Sequence, residues 1–218
     1  MRSAAWVFAS LPLIVFGAEP SAAGWPPSLI AKSSVGGGRA FTIDQYGQML
    51  TISGVEENKG YNLLKYSTTG VRLRSAFTGQ DGAFRAPEGI AVDGDGIVYV
   101  ADTYGARIQV FDSDLEPVAT WKPSGWLDLP HDIEIGPDGL VYVKTSVEMQ
   151  VLTKSGEPLA RWPASGSHFA FDSDGNVVTA EQGVFHRYAA SGTFMGDLPG
   201  SRSFSYPTGF LVYEDVWL

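Results

Sequence analysis

The chain contains no cysteine in its 218 residues, so disulfides, thiolate metal sites and cysteine nucleophiles are all excluded. Cations are sparse. Fifteen Lys and Arg stand against 24 Asp and Glu, for a net charge of −9, and no basic run occurs. A nucleic-acid partner requires a basic face that neutralises phosphates, so none is expected. Sustained helical periodicity is also missing. No glycine-rich loop leads from a strand into a helix, since Gly36-Gly37-Gly38 precedes a strand instead. Nor does an elbow motif of the kind that presents a serine nucleophile mark a Ser/His/Asp hydrolase. The one long apolar stretch, Ala4 to Ala18, contains Pro12 and is short for a membrane span. Flanked by Met1-Arg2 and the small residues Ser21-Ala22-Ala23, it reads as a secretory signal peptide over 1–23. That reading predicts a secreted or periplasmic chain with no stable membrane span after cleavage. A retained N-terminal membrane anchor is the alternative.

What is present is repetition. Pro87-Glu88-Gly89-Ile90-Ala91-Val92-Asp93-Gly94-Asp95-Gly96-Ile97-Val98-Tyr99-Val100 recurs as Pro130-His131-Asp132-Ile133-Glu134-Ile135-Gly136-Pro137-Asp138-Gly139-Leu140-Val141-Tyr142-Val143. Turn glycines Gly47, Gly96, Gly139 and Gly175 mark the copies, and a fifth copy reaches the same position at Val216, at intervals of roughly 36 to 49 residues. Each copy opens with an alternating strand and a hairpin whose positive-φ position calls for glycine. A second strand, a variable loop, a third strand (Arg107 to Phe111, Met149 to Leu152, Phe185 to Tyr188) and a fourth follow. Glu116-Pro117-Val118-Ala119-Thr120-Trp121 matches Glu157-Pro158-Leu159-Ala160-Arg161-Trp162 in the fourth. Four short antiparallel strands per unit of about 40 residues predict an all-β propeller. Residues 24–38 are expected to be a linker or closing strand and 39–218 the propeller. Its blades fall near 39–79, 87–123, 130–163 and 167–200, with a partial blade at 207–218.

The last copy stops at Val216-Trp217-Leu218, inside its second strand. The expectation is therefore four blades plus the start of a fifth, a truncated five- or six-bladed propeller. An open ring leaves an unpaired sheet edge that could pair with another chain. Alternatively, Leu29 to Val35 or Phe210 to Leu218 supplies strands that complete a small ring.

The run Val100-Ala101-Asp102-Thr103-Tyr104-Gly105-Ala106-Arg107-Ile108-Gln109-Val110-Phe111, preceded by Pro87 to Asp93, resembles an NHL repeat. The resemblance is good in the first half of the third copy, weaker in the fourth and faint in the first. It implies an NHL-type β-propeller that binds a protein, peptide or glycan on its loop face. Leu129-Pro130-His131-Asp132-Ile133 distantly resembles a blade entrance of peptidyl-hydroxyglycine alpha-amidating lyases. In those enzymes, histidines at this position on several blades converge on a metal, and a tyrosine and an arginine lie nearby. Here the equivalent positions are Arg39, Glu88, Ser167 and Thr208, so His131 is the only histidine among the five. Zinc takes three or four protein ligands.

Two functions are therefore carried forward. The first is an exported binding or scaffold module without a cofactor, whose candidate face residues are Glu88, Asp102, Tyr104, Arg107, Trp126, His131 and His168. The second is a metal-dependent lyase or hydrolase at the channel mouth, with zinc or calcium, His131 as ligand or base, Glu88 as its helper and Tyr104 nearby. Equivalent positions of adjacent blades are neighbours around the axis, which predicts that Glu88 lies close to His131. Asp102 is expected to tie loop amides. The Asp-Gly-Asp-Gly of 93–96 and Asp-Ser-Asp-Gly of 172–175 lack the ligand series of a calcium loop and read as hairpins. Trp121 and Trp162 are expected to pack between blades.

Overall fold

The computed structural model describes residues 38–54, 60–79, 82–181 and 184–198. The expected signal peptide, the Leu29–Val35 segment, the fifth copy and Thr208 lie outside the described residues, as does the side chain of Arg39. Four antiparallel four-stranded meanders follow one another. The first is β1 (Gly38–Ile43), β2 (Met49–Gly54), β3 (Tyr61–Tyr66) and β4 (Arg72–Ala76). A two-stranded ribbon, β5 (Thr78–Gly79) and β6 (Gly82–Ala83), leads to β7 (Gly89–Val92), β8 (Val98–Asp102), β9 (Arg107–Phe111) and β10 (Pro117–Trp121). The third sheet is β11 (Asp132–Ile135), β12 (Val141–Lys144), β13 (Glu148–Leu152) and β14 (Pro158–Pro163). The fourth is β15 (Phe169–Phe171), β16 (Val177–Glu181), β17 (Val184–Tyr188) and β18 (Phe194–Asp197). The helical content of the described residues is one 3-10 turn, Thr103–Gly105, and no helix among them is long and apolar enough to cross a membrane. These sheets are four blades of a β-propeller.

Strand alternation explains how one blade serves two interfaces, because successive side chains leave opposite faces of a sheet. Ile90, Val92, Val98 and Val100 pack with Leu50, Ile52 and Leu63 of the first blade. Ala91, Tyr99 and Ala101, their alternates, pack with Ile133, Val141 and Val143 of the third. A third core joins Tyr142, Met149 and Trp162 to Phe169, Val177 and Tyr188. The innermost strand β7 lies against both β1 and β11. Equivalent positions at the start of each blade are thereby brought side by side.

Trp121 and Trp162 do more than fill space. A Cβ placed on Gly156 would lie 2.4 Å from Trp121, and one on Gly192 would lie 2.6 Å from Trp162. Each tryptophan thus rests on the backbone of the next blade's outer turn. Those glycines also have φ of +85° and +87°, a region costly for residues with a Cβ. At the first interface the sizes reverse. Ala76 takes the tryptophan position, Leu115 takes the turn position at φ 66°, and both join one core. Large-on-small packing is kept with the partners exchanged, as close packing requires.

Three of the four described inner hairpins share a second device. Asp44 accepts from the amides of Tyr46 and Gln48, Asp93 from Asp95 and Ile97, and Asp172 from Asp174 and Asn176. Their remaining oxygens meet cations. Lys65 lies 3.3 Å from Asp44, Lys154 2.8 Å from Asp93 and Arg187 2.5 Å from Asp172. The Asp-Gly composition of these turns is accounted for by hairpin amides and ion pairs. All these turns occupy one end of the molecule, and the connections carrying Glu88, Tyr104, Trp126, His131 and Ser146 occupy the other.

Candidate functional site

The chain enters β7 and β11 at the loop end through a proline. Ala86 and Leu129, just before Pro87 and Pro130, hold φ of 55° and 48°. Such values are strained for residues with a Cβ and persist only where the surroundings impose them. Immediately beyond, the Glu88 amide donates to Ala101 O and the His131 amide to Lys144 O, which pins both backbones. Gly89 then permits the close approach of β7 to β11. A Cβ there would sit 3.0 Å from both Asp132 Cα and His131 O.

Across this contact Glu88 meets His131. Oε2 lies 2.6 Å from Nδ1, with 31% and 23% of the two side chains exposed. The other ring nitrogen, Nε2, is 3.1 Å from the hydroxyl of Ser146. A carboxylate beside Nδ1 favours the tautomer with the proton there, where Nδ1–H donates to Glu88 and Nε2 accepts from Ser146. Ser146 lies in the tight connection between β12 and β13, closed by the Thr145 amide donating to Glu148 O and the Glu148 amide donating to Thr145 Oγ1. The hydroxyl borders a shallow open cleft of about 400 Å³, lined also by Val147, Ala164, Gly166, Glu181 and Tyr188. Val147 is 72% exposed at its rim.

Behind this surface, Lys144 is fully buried and donates from Nζ to Thr145 O. Burial pulls its ammonium down to about 8, against the opposing fields of Glu181, Asp132 and Glu148. Asp132 lies across the strand pair from it and accepts the amide of Phe169, with His168 Nδ1 3.7 Å away.

The other candidate residues do not join this group. Asp102 is fully buried, accepts the Arg85 amide, and bonds Arg107 Nε at 2.8 Å and Gln109 Nε2 at 2.9 Å. Arg107 is buried too and reaches Ala83 O. Both belong to a structural network, since a ligand at the surface cannot reach buried side chains whose polar atoms are already paired. Tyr104 is 68% exposed on its 3-10 turn, and its side chain makes no polar contact with Glu88 or His131. The Trp126 ring is covered by the Arg161 guanidinium at 5.2 Å. Ser146 was not singled out by the sequence. It lies in a connection where the copies diverge, and only the folded register of blades two and three puts it on the histidine.

Both ring nitrogens of His131 are engaged by Glu88 and Ser146, and no three His, Asp or Glu side chains able to hold a metal gather among the described residues. The arrangement is a hydrogen-bonded row of carboxylate, imidazole and hydroxyl.

A family model described as the NHL repeat matches residues 84–111, the stretch through β7, β8 and β9. The match covers one repeat of the chain, within a β-propeller fold. Among solved structures, the propeller is similar to virginiamycin B lyase from Staphylococcus aureus, with TM-score 0.59 and 16% identity, covering 74% of this chain and 56% of that one. It is similar also to hydrazine synthase from Kuenenia stuttgartiensis, with TM-score 0.59 and 17% identity over 80% and 52% of the two chains. A protein of unknown function from Bacteroides caccae matches with TM-score 0.52 and 18% identity, over 72% and 59%. At these identities the likeness is one of fold, and the propeller spans little more than half the length of those chains. No curated protein matches its sequence significantly.

Proposed function

We propose that this propeller is an exported recognition module that binds an extended peptide segment on its loop face. The carrying observation is the cleft between the β12–β13 connection and residues 163–166, open to solvent and continuous through Ser146 with the half-exposed Glu88–His131 pair. Glu181 on the cleft, Glu88 beside it and the net charge of −9 favour a peptide bearing a cationic residue. Val147 gives it an apolar contact. Panning random displayed peptides against the purified chain, then measuring selected peptides by titration calorimetry, tests this. Basic peptides whose affinity falls at least tenfold in Glu181→Arg and is unchanged in Asp95→Arg, a reversal at the opposite end, are expected. Peptides indifferent to Glu181→Arg but lost in Asp95→Arg would place recognition on the hairpin end and overturn the proposal.

A second reading rests on the short Glu88–His131 contact. An imidazole held by a carboxylate is equipped to act as a general base, and virginiamycin B lyase shares the propeller fold. For a lyase, His131 would remove a proton from substrate at the channel mouth. The metal-dependent form of that reading has no ligand set among the described residues.

A further inference from the structure

We propose that Ser146 is a nucleophile for acyl transfer, with His131 as its base and Glu88 as the residue that positions the imidazole. This goes beyond recognition to a chemical activity: hydrolysis of a carboxylic ester presented in the cleft.

The order of atoms carries the inference. A carboxylate oxygen lies 2.6 Å from Nδ1, and a hydroxyl lies 3.1 Å from Nε2 of the same ring. Carboxylate, imidazole and hydroxyl in that sequence form the constellation that activates a serine, which is recognised by geometry and role rather than by chain order or fold. Three separate elements supply it, from the entrances of blades two and three and the β12–β13 turn, so no local sequence pattern accounts for the convergence. Ser146 is exposed and lines the cleft, where an acyl carbon can approach it. Ser146 Oγ attacks that carbon as its proton passes to Nε2. Collapse of the intermediate expels the alcohol, which takes the proton from the imidazolium. Water, deprotonated by the same nitrogen, then attacks the acyl-serine, releasing the carboxylic acid and restoring the hydroxyl. Glu88 stays ionised throughout and stabilises the imidazolium.

The test is labelling of the intact chain by a biotinylated fluorophosphonate, with p-nitrophenyl acetate hydrolysis in parallel and circular dichroism to establish folding. Wild type is expected to gain the phosphonyl mass on the peptide containing Ser146. Ser146→Ala should lose both label and hydrolysis, and His131→Ala should label about 100-fold more slowly, the scale of a positioned general base. Ser155→Ala, in a turn at the opposite end, should label like wild type. In Glu88→Gln kcat for the ester should fall with KM unchanged, and Glu88→Asp should recover part of the rate. A purely structural Glu88 would leave kcat in place in both folded variants. Folded wild type that neither labels nor hydrolyses the ester, or label that persists in Ser146→Ala, would overturn the proposal. Peptide binding measured on the same proteins separates that failure from failure of the recognition reading.

Discussion

Lys144 is a residue whose proton affinity is set by its surroundings. Its ammonium is buried, and burial lowers its affinity for the proton to about 8 from an ordinary value of 10.5. The unfolded chain therefore binds this proton more tightly than the folded one, and this group's penalty on stability is full below about 8 and gone above 10.5. The expected outcome is that Lys144→Met flattens the rise in melting temperature that this group contributes between those limits, as scanning calorimetry across the range would show. Gly89 makes a complementary case. Gly89→Ala forces the strand away from Asp132 and His131, so the chain should stay folded while the Glu88–His131 hydrogen bond lengthens. Fluorophosphonate labelling should then fall without a comparable loss of secondary structure by circular dichroism. Glu88 and His131 were legible in the sequence because a repeat's register predicts neighbours around an axis. Ser146 was not, because the variable loop carrying it has no register until the β12–β13 turn fixes one.

At the scale of elements, the interfaces between blades hold the molecule together. Gly156→Ala would drive a methyl to 2.4 Å of Trp121 at a φ of +85°. Overpacking and left-handed strain together cost about 2–4 kcal/mol, to be read as a lower urea midpoint with an unchanged slope. The inter-blade pair of Asp93 and Lys154 is a different kind of tie. Burial works to raise the Asp93 carboxyl, yet the bond from Lys154 and the amides of Ile97 and Asp95 outweigh it, so its value is lowered from 3.8. Its stabilisation is present above 3.8 and lost as pH falls through the lower folded value. Asp93→Asn should accordingly weaken the chain at neutral pH and shrink its acid-induced loss of stability in urea titrations at pH 7 and pH 3. Strands and hairpins were readable from alternation and Asp-Gly turns, and the tryptophans from their recurrence. The glycines beneath Trp121 and Trp162 were not, since a turn glycine looks the same in sequence whether or not a ring lies on it. The Ala76–Leu115 exchange was hidden for a related reason, because each substitution alone looks like decay of the repeat.

For the whole molecule, the division of its two ends organises everything else. The hairpin end is closed by aspartates already bonded to amides and cations, whereas the loop end presents a cleft, exposed Val147 and Tyr104, and a chain of polar groups that spans two blades. Acyl transfer requires that adjacent blades bring Glu88 onto Nδ1 of His131 and leave Nε2 facing Ser146. The proton position on that ring tests this most directly, through two-bond proton–nitrogen correlation spectra of the ¹⁵N-labelled chain above the pH at which the imidazole is charged. The expected result is a neutral His131 protonated at Nδ1, reverting toward Nε2 protonation in Glu88→Ala. A ring already protonated at Nε2 in the wild type, and unchanged in that variant, would contradict the site.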